Sequence, residues 1–271
     1  MTRLKYTFKT DTLFKLLFVK YPDLLKKLVA ALLRIRLDSI EHFEIQNPEM
    51  PPETLGDKFC RLDINMMIGG QRVDLEVQVE DERDYPERSL YYWARDFSTA
   101  LGEGMDYLLL PRTIVINIVD FKLFDCAEFH SEFQALEVTR HTSLTDKMSL
   151  HYFELPKLPT SFHKDDDLLL WLSLFNANTE EDLKRIEALE VPDMEKAIGA
   201  YRHVTATDEF KEIERMYSRA RHNEAAALRN AAETAKLDIA RNLLGINMPL
   251  DQIAAVTGLT REVIEGLHGA N

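Results

Sequence analysis

The sequence predicts an α/β chain, with a mixed central sheet flanked by helices and an all-helical C-terminal region. Three observations carry that prediction. Residues 58–80, KFCRLDINMMIGGQRVDLEVQVE, show strict period-two alternation on both sides of Gly69-Gly70, the pattern of a β-hairpin with one buried face. Residues 112–120, RTIVINIVD, form a continuous β-branched run between Pro111 and Asp120, as a strand buried on both faces should. From Asp165 onward the chain is helical in character almost to its end.

In chain order, residues 10–35 read as one or two helices. Leu13, Leu16, Leu17, Leu24, Leu25, Leu28, Val29 and Leu32 recur at helical spacing, Thr10 or Asp11 serves as N-cap, and Pro22 opens a second segment. Ser39 to Gln46 reads as a first strand, followed by a Pro-rich loop from Asn47 to Glu53. In the hairpin, Leu62, Ile64, Met66 and Ile68 share a face with Val73, Leu75, Val77 and Val79. A turn centred between the glycines sets Asp63 opposite Glu76, Asn65 opposite Asp74 and Arg61 opposite Gln78, and pairs the apolar residues with one another. Arg83 to Leu101 returns to helical spacing, with Leu90, Trp93, Ala94, Phe97 and Leu101 as its buried stripe and Arg88, Tyr91 and Tyr92 near the hairpin's exit.

After the strand at 112–120, further strands are expected around 128–139 and 150–154, then helices near 168–175, 179–190 and 193–204. Asp165, Asp166 and Asp167 are best explained as dipole-favourable residues opening a helix rather than as metal ligands. A long Ala-rich segment, about 208–245, carries Ala220, Ala227, Ala231 and Ala235, which suit close helix packing on the domain or in a homo-oligomer. The tail, Pro249 to Leu267, reads as two short helices around Gly258, with Thr260 capping the second. It has the look of a small helix-turn-helix, although Glu262 and Glu265 beside Arg261 match DNA poorly and packing or dimerisation is an equal alternative. The expected organisation is a sheet-bearing domain over 1–160, a helical extension over 161–245 and the tail over 246–271.

At 271 residues and 45% hydrophobic, the chain can bury a sizeable core. No apolar run reaches the roughly 18 residues of a membrane span, and the start, MTRLKYTFKTD, lacks the apolar stretch of a secretory signal. Cys60 and Cys126 are the only cysteines, which excludes a disulfide scaffold and a thiolate zinc cluster and sets a reducing, cytoplasmic expectation. The net charge of −13 argues against coating nucleic acid by bulk electrostatics. Residues 1–36 nevertheless carry nine Lys or Arg against Asp11 and Asp23, a local +7. Such a segment suits a phosphodiester substrate, or is the solvated side of an amphipathic helix.

Two carboxylates directly opposite on neighbouring strands lie roughly 5 Å apart at Cβ and repel each other. A shared divalent cation relieves that repulsion at Asp63 and Glu76, and oxygen ligands suit Mg²⁺ or Mn²⁺; a polar strand face screened by water and Arg61 is the plainer alternative.

Asp63 followed across the hairpin by Glu76-Val77-Gln78 resembles the acid-then-(D/E)-x-K signature of the PD-(D/E)XK nucleases, with Gln in place of Lys. Asp11-Thr-Leu-Phe14-Lys15, Gly56-Asp-Lys58, Asp63, Glu76-Val-Gln78, Arg88-Ser-Leu-Tyr91-Tyr-Trp93 and Gly104-x-x-Tyr107 occur in that order. Together they are similar to the Rpn family of recombination-promoting nucleases, also described as transposases of the PD-(D/E)XK type, over residues 5–160. The element order α-β-β-β-α-β agrees with a restriction-endonuclease-like fold. The resemblance implies a Mg²⁺-dependent DNA endonuclease linked to recombination or mobile elements. It implies catalytic Asp63, Glu76 and Gln78, and metal held by Asp63, Glu76, the Val77 carbonyl and, through water, Asp11. Lys15, Arg61 and Arg88 are the candidates for contacting DNA. Gln78 departs from the pattern because it orients a water without bringing charge, which puts the rate in doubt more than the reaction type. An inactive nuclease fold acting as a DNA- or protein-binding module is the rival reading. Zinc-protease, Walker A, dinucleotide-binding and nucleophile-elbow motifs are absent, and the eight histidines lack metal-ligand spacing.

Overall fold

A computed structural model describes residues 2–47, 63–102, 104–161 and 163–268. The chain forms two compact units, residues 1–214 and 215–271. The first is built on a six-stranded mixed sheet, order β1-β2-β3-β4-β6-β5.

Helix α1 (Asp11–Lys20) and helix α2 (Pro22–Leu32) open the chain, with Pro22 at the first helical position where its missing N–H costs nothing. Thr10 stands at the N-cap of α1, but its hydroxyl accepts from the Thr7 amide rather than from the helix. Strand β1 (Phe43–Ile45) is shorter than the span expected from Ser39, because Leu37–Ser39 close into a 3₁₀ turn. Strands β2 (Ile64–Ile68) and β3 (Gln71–Gln78) form the hairpin, with Ile64↔Leu75, Asn65↔Asp74 and Met66↔Val73 as Cα partners. This is the register expected from the sequence. Gly69 and Gly70 both take positive φ, +54° and +79°, which a two-residue turn of this twist requires. The expected partner of Gln78, Arg61, lies outside the described residues, as does most of the Pro-rich loop.

Helix α3 (Tyr85–Thr99) crosses over to strand β4 (Thr113–Val119), which pairs parallel to β3 and is buried along its whole length. Strand β6 (Met148–Glu154) continues the sheet in parallel, and strand β5 (His130–Phe133) closes the edge antiparallel to it. The sheet separates two cores. Ile64, Met66, Val73, Leu75, Ile114, Ile116, Ile118 and Phe153 pack on one side with residues of α1 and α2. Val115, Val119, Leu150 and Tyr152 pack on the other with Tyr85 and Trp93 of α3.

The expected stripe on α3 is corrected in part. Leu90 and Ala94 are exposed, and the buried positions are Tyr85 and Ser89. Polar contacts set this rotation: Ser89 Oγ bonds Tyr152 Oη, Trp93 Nε1 donates to the Thr113 carbonyl at 3.0 Å, and Asp96 pairs with Arg72 at 2.8 Å.

Helices α4 (Asp167–Asn176), α5 (Glu180–Glu187) and α6 (Pro192–Ala206) follow. Asp166 caps α4 by accepting from the Leu169 amide at 3.1 Å, the helix-opening role expected of that acidic run. Trp171, Phe175, Ile198, Tyr201 and Val204 belong to the same core as α1 and α2. Helices α4 to α6 are therefore built into the first unit. Helix α7 (Asp208–Gly245) runs 38 residues across the division between the units. Ala227, Ala231 and Ala235 are exposed on it. In the second unit Ala240, Leu244, Ile253 and Ile264 form a small core that joins the end of α7 to helices α8 (Leu250–Thr257) and α9 (Arg261–His268).

At the β5–β6 edge, Ser149 Oγ donates to Glu132 Oε1 at 3.0 Å, and His151 Nε2 and Nδ1 lie 2.9 Å from Ser149 Oγ and 3.1 Å from His130 Nε2. A carboxylate only accepts, so His151 donates through Nε2 and accepts at Nδ1 from His130. Burial holds His151 down at about 4, against the opposing pull of Glu132. Unfolded His151 binds a proton near pH 6.5 and the folded residue does not until about pH 4, so acidification across that window favours unfolding. Denaturant unfolding should show stability falling from pH 6.5 toward pH 4.5 by roughly 2–3 kcal/mol from this residue, and His151→Gln should flatten that slope.

Candidate metal centre and its surroundings

The hairpin's alternation sends Asp74, Glu76 and Gln78 to the α3 side of β3, and Asp63, just before β2, joins them. One carboxylate oxygen from each of Asp63, Asp74 and Glu76 lies within 4.8 Å of the others. Asp74 and Glu76 are only 6% and 5% exposed, so water screens their repulsion poorly. Burial above all, then the charges of Asp63 and Glu76, push the Asp74 carboxyl well above the usual carboxylate range. Asp74 Oδ1 is buried and makes no hydrogen bond. Burial also raises Asp96, where Arg72 opposes the shift and Asp63 adds to it. A cluster of three carboxylates, two of them buried and one oxygen unengaged, is a donor set suited to a hard divalent cation, so the residues fit Mg²⁺ or Mn²⁺.

The surroundings hold these acids in place. The Asp63 carbonyl accepts from Lys15 Nζ at 2.8 Å and from Asn47 Nδ2 at 3.2 Å. Asn47 Oδ1 in turn accepts from the Asn65 amide at 2.8 Å. Lys15 is 1% exposed, so its ammonium is buried against the main chain of the acid. Tyr85 Oη lies 3.1 Å from Glu76 Oε2 and 2.9 Å from Asn117 Oδ1.

Of the residues singled out from the sequence, Asp63 and Glu76 meet in the cluster. Val77 pairs with Ile118 in the β3–β4 ladder and packs its side chain toward the α1 side of the sheet. Gln78 follows Glu76 on the same face, and its Nε2 donates to the Glu80 carbonyl at 2.8 Å. Asp11 is the exposed first residue of α1 and is not among the three clustered acids. Arg88 forms an ion pair with Glu82 and sits 4.7 Å above the Tyr85 ring. Arg61 lies outside the described residues.

Sequence reasoning missed Asp74 and Asp96 as neighbours of the site. Asp74 was within reach, because it shares a strand face with Glu76 two residues away. A groove of about 760 Å³, lined by Lys27, Arg34, Arg36, Asp166 and Trp171 among others, does not include these acids.

Four of the nine cations in the basic first segment form ion pairs. Lys9 pairs with Asp120, Lys20 with Glu209, Lys27 with Asp193 and Arg36 with Asp38.

A mixed sheet whose central hairpin gathers carboxylates beside a crossover helix defines the restriction-endonuclease-like class. A family model described as "PD-(D/E)XK nuclease family transposase" matches residues 8–231, and the chain belongs to that family. No curated protein and no solved structure matches it. None of the helices described is long and apolar enough to cross a membrane.

If the cluster holds a cation, Mn²⁺ at a hundredfold its dissociation constant should add about 2.7 kcal/mol of stability, or roughly 5–10 °C in Tm. Asp74→Asn should leave the metal-free protein at least as stable, since it buries no charge, while removing most of the Mn²⁺-induced shift in a thermal melt.

Proposed function

We propose that the protein is a Mg²⁺-dependent DNA endonuclease of the Rpn type, acting in recombination or on mobile elements in a reducing cytoplasm. The observation that carries this reading is the convergence of Asp63, Asp74 and Glu76, two of them nearly buried, with Asp74 Oδ1 left unengaged. Asp63, Glu76 and the Val77 carbonyl would hold the ion, with Asp74 added to that set and Asp11 acting through water. A bound divalent cation supplies a water of lowered pKa and stabilises charge building on the phosphate.

The chain's own residues supply position. Lys15 and Asn47 hold the Asp63 peptide, so the carboxylate is presented from a fixed main chain. Gln78 offers an amide that orients water but adds no charge, which points to a slow enzyme rather than a different reaction. Arg88, one of the proposed DNA-contacting cations, sits on α3 over the Tyr85 ring.

A nuclease-fold binding module without activity is the second reading, and one observation favours it. Gln78 Nε2 is turned along its own strand to the Glu80 carbonyl, away from a hydrolytic role. The tail adds little to DNA reading, because Arg261 is engaged by Asp251 at 3.4 Å and Glu265 at 3.0 Å.

Purified protein should nick or linearise supercoiled plasmid with Mg²⁺ or Mn²⁺, and Asp63→Ala and Glu76→Ala should each lower the rate by roughly 100-fold or more. No cleavage at high enzyme concentration, or cleavage surviving both substitutions, would move the assignment to the binding module.

A further inference from the structure

Beside the proposed metal set stands a fully buried phenol, that of Tyr85. Tyr85 is 0% exposed, yet a residue at the first position of a helix has ready access to solvent for a phenol. Its ring is fixed on several sides. Phe121 and Tyr152 meet it edge-on at 6.0 and 6.4 Å, Arg88 covers a face at 4.7 Å, and Val115, Val119 and Leu150 complete the cluster. The hydroxyl therefore cannot choose its surroundings by rotating the ring away.

The hydroxyl meets two acceptors, Glu76 Oε2 at 3.1 Å and Asn117 Oδ1 at 2.9 Å. Glu76 and Asn117 are Cα partners across the β3–β4 ladder, so both side chains rise from the same point on the sheet. Asn117 is itself locked, because its Nδ2 donates to the His151 carbonyl at 3.0 Å and it is 0% exposed. The amide orientation follows, with Oδ1 facing Tyr85.

We infer that Tyr85 is a positioning residue for Glu76. Its hydroxyl, held by the α3-side core and seated beside Asn117, restrains Glu76 through Oε2, within a carboxylate that also belongs to the Asp63–Asp74 cluster. The group that benefits is a divalent cation bound by those acids, so this inference rests on the metal reading above. Outer partners of this kind commonly set metal affinity by 10- to 100-fold.

Tyr85→Phe is the fitting probe, since it keeps the ring and its packing and removes only the oxygen. Mn²⁺ titration by calorimetry on wild type, Tyr85→Phe, Glu76→Gln and the double variant reads affinity directly, with plasmid cleavage by wild type run alongside. The expected result is about tenfold weaker Mn²⁺ binding by Tyr85→Phe and no further weakening when it is added to Glu76→Gln. A thermal melt without metal separates positioning from loss of fold, because a merely structural role would lower Tm and leave affinity unchanged. Wild-type affinity in Tyr85→Phe, or an equal loss from Tyr85→Phe in both backgrounds, would overturn the inference while the cleavage assay still decides the nuclease reading. Metal binding with no cleavage by wild type would remove the nuclease reading and leave the Tyr85 result standing. No Mn²⁺ binding by wild type would overturn both.

Discussion

Mutual repulsion among three clustered carboxylates, two of them buried, is the constraint on which the centre of this molecule depends. Asp63, Asp74 and Glu76 approach within 4.8 Å beside an apolar sheet where the dielectric is low. Burial and the charges of Asp63 and Glu76 together hold the Asp74 carboxyl well above the usual carboxylate range. The fold places Arg72 on Asp96, at the periphery, and leaves Asp74 Oδ1 without a hydrogen bond. Elsewhere the same chain satisfies its buried acids thoroughly. Glu154, 0% exposed, accepts from Lys157 at 2.7 Å and from the Leu123 amide at 2.6 Å. That contrast within one sheet singles out the Asp74 oxygen as a feature of the site rather than of loose packing.

Several consequences follow from asking the backbone to hold like charges together. The acids must come from rigid elements, and they do: two from an eight-residue central strand with neighbours on both sides, one from the residue leading into its hairpin partner. The third attachment point is the weakest, since Asp63 lies at the end of its strand, and that is where side chains intervene. Asn47 supplies both an amide donor to the Asp63 carbonyl and an acceptor to the Asn65 amide, acting as a side-chain extension of the β1–β2 ladder. Lys15 adds a buried charged donor to the same carbonyl.

The hairpin, its register and the parallel strand β4 were legible because each is governed by short-range rules: period two, paired glycines and a β-branched run. The opposition of Asp63 and Glu76 follows from that register. Asp74 entered the same inference only as the partner of Asn65, because pairing rules favour residues directly across and say less about diagonal neighbours, which long or acidic side chains still reach. The rotation of α3 was not legible for a different reason. Hydrophobic spacing favours Leu90 and Ala94, but the helix faces a sheet surface bearing Glu76, Asn117 and Tyr152, so Tyr85, Ser89 and Asp96 find polar partners there. A helix packed on a functional face is oriented by hydrogen bonds that no single segment reveals. The placement of α4 to α6 in the first core was hidden likewise, since a helical run does not disclose which sheet it covers.

The N-terminal cations show how misleading local charge can be. A surplus of +7 over residues 1–36 suggests an exposed basic surface, yet three of its cations, Lys9, Lys20 and Lys27, are paired with acids supplied by β4's end and by α7 and α6. Lys15 follows the same logic in its most buried form. At 1% exposure it brings its charge to the Asp63 main chain from the α1 side of the sheet, while the carboxylates gather on the α3 side. A cation at the third motif position would stand among the acids and weaken their hold on a divalent ion by repelling it. With Gln78 there, the third motif position brings no charge to that face, and the buried lysine is spent on the Asp63 main chain.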